Sequence, residues 1–333
     1  MRTDGTAERW LPVTFKFNPT MVSVQWMQFG SEPFSEPFFH QTIRKAKSRK
    51  PGAAEEVTTL TALLERAREL TPVKPAGLIF HVSRCGSTLL ANALRTGEEV
   101  VLLSEARPVG TFFRPNIFKD SPFPIEGWED ARRMLLECVS TLYAHSGGGR
   151  DPRLVIKCHA ASVLQIALVR AVWPTVPCVV VIRDPVAVMM SNLAKAAGWV
   201  KMRDRPGIAG FMFGWKPADV PGMTVEEYCA RGLGRFCETA ARAVGDMCRV
   251  IDYHSLDVRH IRQVADFFGV TLPSADSFEF QKVLGTYAKD PKGARRFEGD
   301  GERKRREAPE AVKRAAQRWA QAPYEALREL EAW

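Results

Sequence analysis

The sequence of 333 residues predicts an α/β fold of three layers, with helices on both faces of a central parallel sheet. Three observations carry that expectation. Short strand-like runs alternate with helix-like segments through the middle of the chain, the rhythm of βαβ units. The runs are apolar throughout rather than alternating, as in Pro177-Cys-Val-Val-Val-Ile182, which is the pattern of strands covered on both faces. The chain is also long enough to bury a sizeable core, as one large domain or two medium ones. A content of 45% hydrophobic and 26% charged residues excludes a mainly disordered chain, a collagen-like repeat and a coiled coil.

The elements follow in order. Residues 1–75 read as an N-terminal accessory region, with aromatics at Trp26, Phe29, Phe34, Phe38 and Phe39. A basic stretch from Arg44 to Lys50 holds five basic residues and no acid. The spacing of Leu60, Leu63, Leu64 and Ala67 predicts a helix over Val57 to Leu70, ended by Thr71-Pro72. A β run covers Gly77 to Val82 and a helix Ser87 to Arg95, then a short strand Glu99 to Leu103. Arg153 to Cys158 reads as a strand, followed by a helix to about Val172. After the strand ending at Ile182, Asp184 and Pro185 are an N-cap and a first helical residue. Arg249 to Tyr253 is a further strand and Leu256 to Phe268 a helix. Trp199 to Thr224, rich in Gly, Pro, Met and aromatics, breaks the rhythm and reads as a long loop or lid. The catalytic part is expected to occupy residues 76–333.

Lys plus Arg number 47 and Asp plus Glu 38, a net charge of +9, which suggests an anionic partner without naming it. Seven cysteines without a CxxC pair point to free thiols in a reducing, cytoplasmic compartment and give no metal-ligand spacing. No apolar run reaches the roughly 18–20 residues that span a bilayer, and Met1 to Asn18 lacks the layout of a secretory signal. No membrane insertion is expected.

Two constellations carry chemistry. Ser83-Arg84-Cys85-Gly86-Ser87-Thr88-Leu89-Leu90 follows a strand and opens a helix. Backbone N–H groups and the helix dipole at that point favour an anion; Ser87 and Thr88 add hydroxyls, and Arg84 a permanent cation. A Walker A loop needs a Lys after its last Gly, and none follows Gly86. The bland alternative is an ordinary βα turn. In the second constellation, Arg183 stands at the carboxyl end of a strand, where ligands of open α/β sheets bind, and Ser191 lies two turns into the next helix. The two can grip one phosphate from two sides. Alternatively, Arg183 pairs with Asp184 and Ser191 faces solvent.

Together these residues resemble the sulfotransferases that use 3′-phosphoadenosine-5′-phosphosulfate (PAPS). Arg84-Cys85-Gly86-Ser87-Thr88 is similar to that family's 5′-phosphosulfate motif, with Arg84 where many members have Lys. Arg183 and Ser191, eight positions apart, are similar to its 3′-phosphate motif. Lys157-Cys158-His159 looks like its Lys-x-His, and Tyr253 in Asp252-Tyr253-His254-Ser255-Leu256 like the segment near the adenine nucleotide. The resemblance implies a P-loop sulfotransferase fold with PAPS as the sulfuryl donor. It puts Ser83, Arg84, Cys85, Gly86, Ser87, Thr88, Arg183, Ser191 and Tyr253 on the nucleotide. Lys157 and Arg84 would steady the transferring group. The family closes its 3′-phosphate site with a C-terminal basic segment. Here Lys292-Gly293 and Gly299-Asp300 are present at a different spacing, so that role falls to Arg295, Arg296, Arg303 and Lys304 without a firm alignment.

Sulfuryl transfer needs a base for the acceptor's proton and cations for the leaving phosphate. His159 suits the base role by its position and ordinary pKa, and Glu105 is its rival. The transfer is expected to proceed without a metal. The acceptor is expected to be a small molecule bearing a hydroxyl or amine, of apolar or aromatic character if Phe211, Met212, Phe213 and Trp215 line its pocket. In the bland reading those residues only pack a lid onto the core. Rival readings are a P-loop kinase, which would need Mg²⁺, and a nucleic-acid-binding module built on the basic stretches. Nucleic acid is not the expected partner, because residues 84, 157 and 183 fall at strand ends rather than along one exposed helix.

Overall fold

The apolar runs become the strands of a parallel sheet whose two faces are both covered. In the computed structural model, residues 9–17, 21–30, 34–49, 55–113, 128–285 and 301–333 are described. Three strands come first in the chain: β1 (Arg9–Phe17), β2 (Val22–Phe29) and β3 (Glu55–Thr59). Five more build the central sheet: β4 (Gly77–His81), β5 (Val100–Ser104), β6 (Arg153–Lys157), β7 (Cys178–Ile182) and β8 (Cys248–Asp252), in the spatial order β5-β6-β4-β7-β8. Every pairing among these five is parallel. β4 and β7 are buried at every residue, as strands sandwiched between helices must be.

The chain leaves β4 for the outer strand β5, returns to β6 beside β4, and then crosses to the other side for β7 and β8. The loop after β4 therefore lies at the point where the winding reverses, where open α/β sheets form their ligand crevice. The helix Ser87–Leu94 packs on β4, β5 and β6 and against the helices Val258–Phe267 and Phe278–Gly285. The helix Val225–Ala241 is held by Pro185–Ala194, Glu310–Trp319 and Gln321–Arg328. Asp184 caps the helix Pro185–Ala194 as expected, its Oδ1 accepting from the Ala187 N–H at 2.9 Å with Pro185 in the first turn.

The first part of the chain forms a second, antiparallel sheet with β2 in the middle. It lies on the main body: Phe15 meets Phe112 edge-on at 4.7 Å, and the Tyr143 hydroxyl donates to the Pro12 carbonyl at 2.6 Å. The helix expected over Val57 to Leu70 is shorter, Leu60–Arg68, because its first residues belong to β3. Val57, Thr58 and Thr59 are β-branched and take the extended conformation, paired with β2. The helix Phe39–Arg49 holds most of the basic stretch. Two of its charges are matched, Lys45 by Glu36 and Lys47 by Glu55.

The segment read as a loop over Trp199 to Thr224 is instead mostly helical turns: Gly198–Lys201, Met202–Asp204, Pro206–Phe213 and Pro217–Asp219. Pro206 starts its helix, and Gly214, at φ 71°, ends it. Both therefore act as helix boundaries rather than as loop formers. Phe213 is buried and stacked on Trp215 at 4.4 Å, and the two join Trp199, Tyr228 and Phe236 in one aromatic cluster. Phe211 stays exposed. No helix among the described residues is long and apolar enough to cross a membrane.

Candidate active site

Because the five strands run parallel, their carboxyl ends share one edge, and each end presents a residue singled out from the sequence. β4 delivers the loop Ser83 to Thr88, β5 delivers Glu105, β6 ends in Lys157 with Cys158 and His159 beyond it, β7 leads to Arg183, and β8 to Tyr253. A shared edge is what parallel strand topology supplies, and it brings together side chains far apart in sequence.

The loop after β4 is strained in a specific way. Ser83 (φ 74°), Arg84 (φ 51°) and Gly86 (φ 83°) all take left-handed backbone conformations. Two of these residues carry a Cβ, which costs of order 1 kcal/mol each and marks functional turns. At Gly86 a side chain is doubly excluded, since an added Cβ would also sit 2.8 Å from the Tyr253 ring. Cys85 faces inward, its thiol donating to the Val181 carbonyl at 3.0 Å, so it pins the loop to β7. Ser87 and Thr88 open a helix whose first turn has no side-chain cap. Its leading amides are the donors an anion would take. The Arg84 guanidinium donates to the Lys195 carbonyl at 2.6 Å, bridging the loop to the end of the helix Pro185–Ala194.

Arg183 packs against this loop. Its guanidinium donates to the Arg84 carbonyl at 3.2 Å and lies 4.2 Å from the centroid of the Tyr253 ring. The pairing of Arg183 with Asp184 that the sequence left open gives way to a different one, because Asp184 pairs with Arg305. Ser191 donates to the Ala187 carbonyl at 2.8 Å and accepts from the Lys304 ammonium, also at 2.8 Å. The helix Gly301–Glu307 thus lays its bases on the helix that follows Arg183, and Gly301 leaves a Cβ-sized space 3.5 Å from Arg183. Arg295 and Arg296 lie outside the described residues.

Lys157 is 1% exposed and forms an ion pair with Glu105. Glu105 itself has φ 53° and donates its backbone N–H to the Lys157 carbonyl at 2.7 Å, so the pair is fixed through backbone as well as side chain. Burial pushes the Glu105 carboxyl up. The Lys157 ammonium, with the Nε2 side of the His81 ring also facing the carboxyl, outweighs it and holds the carboxyl well below its ordinary value. The ionised carboxyl thus stabilises the fold at any pH above the unfolded value near 4.5, and that contribution is lost as pH falls through the folded value. Wild type is therefore expected to lose stability below about pH 4.5 more steeply than Glu105→Gln, as read by urea unfolding at stepped pH. Parallel curves would contradict the pairing.

His159 follows directly on this pair, half-buried, with Gly110 leaving the room its ring occupies; a Cβ at Gly110 would stand 3.0 Å from His159 Nδ1. Three participants escaped the sequence reading. His81 lies inside the β4 run and passes there for a core residue. Arg305 sits among four consecutive bases with nothing to distinguish it. Phe38, whose ring centroid is 5.2 Å from the Lys157 ammonium, comes from the N-terminal region and carries no motif.

No family model matches the sequence, and no curated protein matches it significantly. Among solved structures, similar chains include a sulfotransferase domain from the curacin biosynthetic pathway (13% identity, 74% of this chain and 98% of that one, TM-score 0.41). A sulfotransferase from Alicyclobacillus acidocaldarius is 16% identical over 78% of this chain and 98% of its own, with a TM-score of 0.40. A sulfotransferase domain of the Synechococcus PCC 7002 olefin synthase is 13% identical over 75% and 96%, with a TM-score of 0.39. At these scores the reading of the site rests on its own residues.

Proposed function

We propose that this chain is a sulfotransferase that moves a sulfuryl group from PAPS to a hydroxyl or amine of a small acceptor. The observation that carries the reading is the hydrogen bond from Lys304 to Ser191. The resemblance puts Ser191 on the 3′-phosphate and closes that site with a C-terminal basic segment in which Lys304 is one of four candidates without a firm alignment. Lys304 and Ser191 meet although 113 positions separate them in the chain. Arg183, the third residue considered, packs on the phosphate loop and lies near Gly301, which starts the helix that carries Lys304.

The residues suit the donor. The uncapped helix start at Ser87 offers amides to the 5′-phosphosulfate end, and Arg183, Ser191 and Lys304 offer two cations and a hydroxyl to the 3′-phosphate. When bound, PAPS supplies a sulfuryl group activated on a phosphate leaving group. His159 takes the acceptor's proton, while Lys157 and Arg84 balance the charge that develops on the departing oxygen. The choice of His159 over Glu105 follows from the ion pair. A carboxylate held well below its ordinary pKa is a weak proton acceptor near neutrality, so Glu105 serves to hold Lys157 in place.

A thermal shift with adenosine 3′,5′-bisphosphate, the product of transfer, tests the reading. At about 100 times its dissociation constant the ligand is expected to stabilise the fold by about 2.7 kcal/mol. His159→Ala should keep that shift and lose most turnover. No response of wild type to the bisphosphate would refute the assignment.

A further inference from the structure

We propose that His81 is a positioning residue that locks the phosphate loop to the Glu105–Lys157 pair through a single ring. The ring is buried at the end of β4 and has distinct work for each nitrogen. Its Nδ1 accepts the Ser83 N–H at 3.1 Å, so Nδ1 carries no proton. The proton therefore resides on Nε2, which donates to the Cys158 carbonyl at 3.0 Å, with the Glu105 carboxylate 3.6 Å from the same nitrogen. This tautomer is assigned from the partners' chemistry, since a backbone N–H can only donate and a carbonyl can only accept.

One side of the ring thus holds Ser83, the first of the left-handed residues of the loop. Without an acceptor there, nothing in the described hydrogen bonding of Ser83 N–H offsets the strain of its conformation. The other side holds Cys158, the residue between Lys157 and His159, and leans on Glu105. Three strand ends, those of β4, β5 and β6, are therefore tied to one side chain. Nucleotide-facing and proton-transferring residues keep their relative positions through it. The functional half of this inference rests on the sulfotransferase reading, while the structural half does not.

Two near-isosteric variants separate the two sides. His81→Asn keeps an acceptor where Nδ1 stood and withdraws the group that reached Cys158. His81→Gln keeps a donor where Nε2 stood and removes the acceptor for Ser83. Amide hydrogen exchange on the ligand-free protein is the first readout. His81→Gln is expected to speed exchange about 10-fold or more in the segment spanning 83–88 and leave 156–160 near wild type, and His81→Asn the reverse. The second readout is calorimetric affinity for adenosine 3′,5′-bisphosphate, expected to fall about 10-fold in His81→Gln and to change less than about threefold in His81→Asn. A side chain that only fills space would loosen both segments together in both variants, in step with the loss of melting temperature, and that result would overturn the proposal. If wild type ignores the bisphosphate while exchange still splits as described, the sulfotransferase reading fails and the coupling through His81 stands.

Discussion

Lys157→Met is expected to lower the release of adenosine 3′,5′-bisphosphate from PAPS by about 10²–10³-fold and to remove about 3–5 kcal/mol of stability. The two losses have one origin. The ammonium is buried, pairs with Glu105 and lies over the Phe38 ring. Taking it away strands a carboxylate in a place where its own desolvation already works against it. Methionine preserves the length and apolar body of the side chain, so packing contributes little to the change. The double variant Lys157→Met, Glu105→Leu removes the stranded charge and should recover most of the stability without recovering turnover. Urea unfolding and initial rates on the four proteins of this cycle give both numbers. Turnover restored together with stability would show that Lys157 serves the fold alone.

Arg183→Ala is expected to weaken the bisphosphate by roughly 10–100-fold, the range for losing one charged hydrogen-bonding group at a phosphate. Stability should change less than affinity, because Asp184 keeps its pairing with Arg305 and its cap on the following helix in that variant. Arg183→Lys should recover only a small part of the affinity. A lysine can supply the charge. It cannot both lie flat against the Tyr253 ring and donate sideways to the Arg84 carbonyl, as the guanidinium does. Calorimetric affinities for the three proteins decide it. Equal affinity in wild type and Arg183→Ala would remove Arg183 from the nucleotide site.

The parallel sheet was legible because its signal is local. Five residues of unbroken apolar character are visible wherever they occur, and β7 is the extreme case. The cap at Asp184 was legible for the same reason, since all its chemistry lies within four residues. The loop Ser83 to Thr88 could be read as an anion site from its order of residue types, but its left-handed backbone at Ser83 and Arg84 could not. Neither residue favours that conformation; it is imposed by partners such as His81 and Val181. The Glu105–Lys157 pair shows the same limit. Each residue could be suspected alone, yet their union depends on β5 and β6 lying side by side. The misread segments failed through competition between local rules. Val57 to Thr59 had helical neighbours but found a strand to pair with, and the Gly and Pro of 199–224 punctuated short helices rather than dissolving them.

The spatial order of the central strands also has a consequence for how the protein is made. β4, the middle strand, is synthesised before every strand that will flank it. A ribosome adds about 5–20 residues per second. The stretch of about 100 residues from His81 to Cys178 therefore occupies roughly 5–20 s of translation. Throughout that interval Leu78, Ile79 and Phe80 have no β7 to pair with, and the loop they carry has no Val181 or Arg183 to rest on. The anion-facing turn thus leaves the ribosome well before Val181 and Arg183, two of the residues it rests on.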